Sequence, residues 1–299
     1  MSLLSKVLAK CSVMQWRIAI AHGDIATIIR EKKIGLHFTS LPNHRVTQFM
    51  ADPFIFLTQE GLIKVLYEEF SFNKKGIIIL KTIDSDFKIL SQKTLLKSSG
   101  HLSYPLVFTE NGTTYVIPES HEDGDVNLYE YDLANDILVN KQLLIQQPLL
   151  DVTVLRYNQK YWIFATMGDG TNDNADLHIF YADSLKGPYK AHFNNPVKSN
   201  LNGSRPAGNF IEVDGNIYRP SQNSSEYYGK SMTIHRISRL TERDFEEVHH
   251  MDINGSTHAL FKTGAHTINA RDNIIAVDYI QPIFSPLTKA IMYLKKNVQ

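Results

Sequence analysis

Residues 51–69 read ADPFIFLTQEGLIKVLYEE: a Pro-marked start, an apolar run of strand length, a Gly turn, and a second apolar run ending on acids. Two such runs across a Gly-containing turn read as a β-hairpin. The same order returns four times. It reads SYPLVFTENGTTYVIPES from 103, DVTVLRYNQKYWIFATM from 151, RPAGNFIEVDGNIYRPSQ from 205 and AHTINARDNIIAVDY from 265, with starts 48 to 60 residues apart. Between the copies lie further strand candidates, such as Asn127 to Tyr131 and Leu177 to Ala182, so each copy with its tail makes one four-stranded sheet. Repeats of roughly 40 to 50 residues, each a small antiparallel sheet, point to a β-propeller. The expected fold is all-β: one five-bladed β-propeller domain over residues 1–299. The fifth copy starts close to the C-terminus, and the strand-like Gln15 to Ala21 (QWRIAIA) is expected to close the ring by pairing with that last blade. Pro286 to Gln299 is expected to form a short docked helix or tail.

Composition narrows the partners. With 31 Lys plus Arg against 31 Asp plus Glu, the chain offers no basic footprint for a phosphate backbone, so nucleic acid is not expected. The lone Cys11 excludes an intrachain disulfide framework and every multi-cysteine metal site. Lys6 and Lys10 interrupt the only apolar stretch near the N-terminus, and the longest strongly apolar runs, such as Ile77 to Leu80, have strand length. The reading is therefore a soluble, cytoplasmic protein that does not span a membrane.

In a propeller the inner strands line one central channel, so the first residue of each copy faces a shared pocket. Those residues are Asp52, Tyr104, Asp151, Arg205 and His266, with His101 and Ser103 just ahead of the second. Two carboxylates across a polar channel are what glycosidic bond cleavage requires, one ionised as base or nucleophile and one with raised pKa as acid. Asp52 and Asp151 are candidates for the ionised role, since Arg205 would favour their charged form. Glu68 and Glu119, near the ends of second strands, are candidates for the acid. His101, Ser103, Tyr104, Arg205, Arg219, Gln222, Tyr228 and His266 are candidate substrate-binding residues. The run Gly168 to Asp173 looks like a calcium loop, but Phe180 stands where an EF-hand needs Glu. His249, His250, His258 and His266 lack the spacing of a helical zinc site. No metal and no other cofactor is expected.

A series of motifs in order carries a family resemblance: ADPF (51–54), Tyr67-Glu68, HLSYP (101–105), PES (118–120), Asp151, LKGPYKAHFNNPV (185–197), SRPAG (204–208), YRPSQ (218–222) and YYG (227–229). Over about residues 14 to 280 the chain resembles the N-terminal propeller domain of plant glucosamine inositolphosphorylceramide transferases and their free-standing bacterial relatives. More distantly it is similar to the five-bladed propellers of family 43 and family 32 glycosidases. The second resemblance implies that Asp52 stands where family 43 enzymes carry the general base, and Asp151 where they carry the Asp that tunes the acid. Ser204-Arg205-Pro206 replaces the Glu acid of those enzymes in the fourth blade. The plant resemblance implies that transferase chemistry belongs to a separate C-terminal domain, so that activity does not carry over.

Three functions remain open. The first is an enzyme acting on a glycosidic or glycosyl-phosphate bond in cell-surface glycan or glycolipid biosynthesis. The second is a glycoside hydrolase with a relocated acid, and the third a non-catalytic glycan-binding module serving a partner glycosyltransferase.

Overall fold

The computed structural model describes residues 11–43, 45–72 and 74–296. The Lys6 and Lys10 stretch read for export signals lies outside them. Five antiparallel sheets run in sequence around an axis. Blade 1 comprises Gln48–Leu57, Ile63–Ser71, Ile77–Ile83 and Ile89–Leu96, inner strand first, and blade 2 comprises Ser103–Glu110, Thr113–Glu119, Val126–Asp132 and Ile137–Ile145. Blade 3 is built on Leu149–Tyr157, Lys160–Met167 and Asp176–Ala182, with Lys190–Ala191 and Lys198–Ser199 both paired to the third strand. In blade 4 the inner strand is broken into Asn202–Pro206 and Ile211–Val213, followed by Asn216–Asn223, Ser231–Leu240 and Phe245–Ile253. Blade 5 takes its two inner strands, Ile268–Arg271 and Ile274–Phe284, from the end of the chain and its two outer strands, Ser12–His22 and Thr39–Ser40, from the beginning.

The ring is thus closed by the N-terminal strand, in continuous register from Ser12 opposite Phe284 to His22 opposite Ile274. Period-two alternation lets this strand face both neighbours at once. Ile18 and Ile20 enter the cluster with Met50, Ile55 and Val65 of blade 1, while Ala19 enters the cluster with Met232, Ile234 and Met251 of blade 4. Two further clusters fill the gaps between the first three blades and between blades 3 and 4. Each inner strand is therefore covered on both faces, which is why Ala51 to Phe56 is a continuous buried run, whereas the outer strand Ile89–Leu96 is largely exposed.

Among the described residues, two α-helices complete the fold. α1 (Ile25–Glu31) starts where the Asp24 side chain accepts the Ala26 N–H at 2.9 Å and ends where Lys32 turns left-handed at φ 53°. It buries Ile28 and Ile29 on the blade 4 to blade 5 cluster. α2 (Pro286–Lys296) is the expected C-terminal helix.

Candidate active site

A shared backbone device organises the centre of the ring. Asp52, Tyr104 and Asp151 have positive φ (52°, 37° and 51°), and at each one the inner strand slips register against its partner. These are β-bulges, which free a peptide N–H from the ladder and re-aim a side chain. Each freed N–H is taken by a carboxylate of the preceding blade. Asp52 N–H donates to Asp278 Oδ2 at 3.0 Å, Tyr104 N–H to Asp52 Oδ2 at 3.3 Å, and Asp151 N–H to Glu119 Oε2 at 2.9 Å.

Hairpin geometry brings the second-strand acids to the same place. A second strand ends beside the start of the first, so Glu68 pairs across from Ala51 and Glu119 across from Ser103. The resulting pocket has a volume of about 440 Å³, and Asp52, Glu68, Glu119, His101, Ser103, Arg205, Tyr228 and His266 all line it.

The remaining expected residues lie elsewhere. Asp151 is buried behind the wall, clamped by Arg205 Nε at 2.6 Å, Arg205 Nη2 at 3.2 Å and Gln222 Nε2 at 2.6 Å. Gln222 is therefore a support for Asp151 rather than a pocket residue. Tyr104 is fully buried, and its hydroxyl joins Thr153 Oγ1 (2.9 Å) to the Gly208 N–H (2.6 Å). Arg219 lies outside the site altogether, bonded to Glu247 and to the carbonyls of Gly203 and Ser204 inside blade 4. Strand alternation explains this: Arg219 stands opposite His235, on the strand face away from Gln222.

Several site residues were not anticipated: Trp16, His121 and Asp278, with Met14, Phe49 and Phe70 at the mouth. Asp278 carried a readable signal, since it follows the inner strand of the fifth copy as Glu68 and Glu119 follow theirs. It accepts the His266 and Thr267 N–H groups at 2.9 and 3.0 Å and lies 2.6 Å from His266 Nδ1. The His266 ring stacks on Trp16 at 4.1 Å, and Tyr228 meets it edge-on at 5.4 Å. Gly229, at φ 70°, is required beside this stack because a Cβ there would come within 2.5 Å of the Trp16 indole.

The buried acids differ in charge. Burial, with Glu68 and Asp278 nearby, pushes Asp52 up to about 6 despite the His266 cation. Burial also works against charge on Glu119, but the His121 hydrogen bond and the Arg205 guanidinium outweigh it and lower that carboxyl to about 2. His266 is raised to about 9: burial opposes its charge, and Asp278 and Asp52 overcome that opposition. The surroundings thus shift the two carboxyls in opposite directions, Asp52 upward and Glu119 downward. Glu68 accepts from His101 Nε2 at 2.9 Å, and the Gly76 N–H donates to His101 Nδ1 at 3.0 Å, which fixes the tautomer.

Residues 39–270 match the family described as glucosamine inositolphosphorylceramide transferase 1, N-terminal. The chain belongs to this family. Glucosamine inositolphosphorylceramide transferase 1 of Arabidopsis thaliana is 30% identical over 210 residues, an alignment that takes in 68% of this chain and 27% of the plant protein. The chain thus spans about a quarter of the length of that relative. Among solved structures, a thermostable family-43 glycoside hydrolase aligns with a TM-score of 0.52 at 15% identity, over 66% of this chain and 74% of its own. An exo-1,5-alpha-L-arabinanase from a bovine ruminal metagenomic library aligns at 0.52 and 12% identity, over 80% and 96%. These likenesses show the five-bladed propeller fold. Among the described residues, no helix is long and apolar enough to cross a membrane.

Proposed function

We propose that the central pocket is a sugar site acting on a glycosidic or glycosyl-phosphate bond during assembly of a cell-surface glycan or glycolipid in the cytoplasm. The supporting observation is Asp52, a buried pocket carboxyl held at about 6 beside the cationic His266. A carboxyl poised there donates a proton readily near neutral pH. In the proposed step the Asp52 proton passes to the leaving oxygen as the C1–O bond breaks. Glu68, oriented by His101, takes the proton of the attacking hydroxyl. Trp16 and Tyr228 offer aromatic faces to the ring, and Ser103 and His121 offer polar contacts at the wall. An acceptor hydroxyl gives transfer and water gives hydrolysis, with Asp52 as the relocated acid.

A second reading, a glycan-binding module serving a partner glycosyltransferase, is favoured by the clamp on Asp151, which leaves that carboxylate no free role in chemistry. The Asp52→Asn variant separates the two. Acid–base catalysis predicts a roughly 100- to 10,000-fold loss of turnover of an identified glycoside with binding retained in calorimetry. Sugar binding without turnover by the unmodified protein selects the module instead.

A further inference from the structure

We propose that the pocket face of the propeller docks on an anionic lipid surface through α2 and the chain segments around it. The sequence of α2, PLTKAIMYLKK, has three lysines and no acid, in a chain whose total charge is zero. Three of its apolar residues face solvent: Leu287 is 75% exposed, Tyr293 68% and Ile291 44%. Phe284, at 56%, and Met14, at 43%, extend the same patch along the strand pair that precedes the helix. Scattered exposed hydrophobics are ordinary, but a contiguous group on one short helix and its root marks an interaction surface. An apolar stripe flanked by lysines is the pattern of a helix lying in the headgroup layer.

The patch is continuous with the pocket. Met14 lines the pocket itself, and Met292 lines an adjoining groove of about 640 Å³ together with Phe49, Phe70 and Phe72. Lys74 and Lys75 rim that groove, and Lys75 is paired with Glu122. Docking through α2 would therefore face the pocket mouth towards the bilayer. This surface stands apart from the chemistry of the pocket, because vesicle binding requires no sugar.

Sedimentation of the full chain with vesicles is the test, comparing phosphatidylcholine alone with phosphatidylcholine mixed with phosphatidylglycerol. Binding is expected to the mixed vesicles only and to weaken as salt is added. The double variant L287D/I291D is expected to bind at least about tenfold more weakly with an unchanged melting temperature, and K289E about fivefold more weakly. No binding to either vesicle, or binding that the double variant leaves intact, overturns the proposal. So does a concentration-dependent dimer in light scattering that L287D/I291D abolishes in the absence of vesicle binding, which would assign the patch to a second copy of the chain.

Discussion

Asp52 and Glu119 are both buried at the heads of neighbouring hairpins, yet their neighbours move them in opposite directions. The difference lies in the partners each one has. Glu119 has a His121 hydrogen bond at 2.9 Å and the Arg205 guanidinium at 3.8 Å, whereas Asp52 keeps 3.8 Å from His266 and shares it with Asp278. The sign of the pH dependence follows. Asp52 is raised from 3.8 to about 6, so its contribution to stability is full below 3.8 and is lost as pH rises through about 6. Glu119 contributes above 4.5 and loses that contribution as pH falls through about 2. His266, raised from 6.5 to about 9, stabilises fully below 6.5 and loses this as pH rises through about 9. Thermal melting is therefore expected to fall between pH 6.5 and 9, and His266→Gln is expected to flatten that slope. Arg205→Ala leaves Asp151 buried with only Gln222 and its own backbone contacts, so denaturant unfolding is expected to show a loss of about 3–5 kcal/mol. Arg205→Lys is expected to recover only part of it, because an ammonium cannot reproduce the two-point contact.

The hairpins were legible in the sequence because each repeat carries its turn and its apolar runs. The bulges were not legible, since a left-handed Asp or Tyr inside a strand leaves no compositional mark. Yet the bulges decide which side chains meet. α1 was missed for a related reason: IATIIRE is rich in β-branched residues, which favour strands in isolation. Its Asp24 cap and the burial of Ile28 and Ile29 override that preference. The closing strand was legible as QWRIAIA, but Trp16 in it became a site residue only through ring closure, which brings the chain's beginning beside His266. Ile18, fully buried between blades 5 and 1, tests the closure. Ile18→Ala is expected to cost about 2–5 kcal/mol in chemical denaturation, as deep core truncations do, even though it sits on the first of the described strands.

At the scale of the ring, five blades meet through polar contacts near the axis as well as through apolar faces. Tyr104 ties blades 2, 3 and 4, while Asn269 donates to the Pro53 carbonyl at 2.9 Å and accepts the Asn209 N–H at 2.7 Å. Tyr104→Phe strands the Gly208 N–H, and a loss of about 1–3 kcal/mol in unfolding free energy is expected. Zero total charge gave no hint that the axis gathers Asp52, Glu68, Glu119, Arg205 and His266 at one place. The five-fold repeat did, by setting the heads of the inner strands around one channel. The proposed acid–base step requires Asp52 to hold a proton near neutral pH. Carbon-13 NMR titration of the side-chain carboxyl groups, with Asp52 assigned by its loss in Asp52→Asn, measures this directly. A midpoint near 6 is expected. A midpoint at or below 4 would leave Asp52 ionised near neutral pH and contradict its proposed role as the acid.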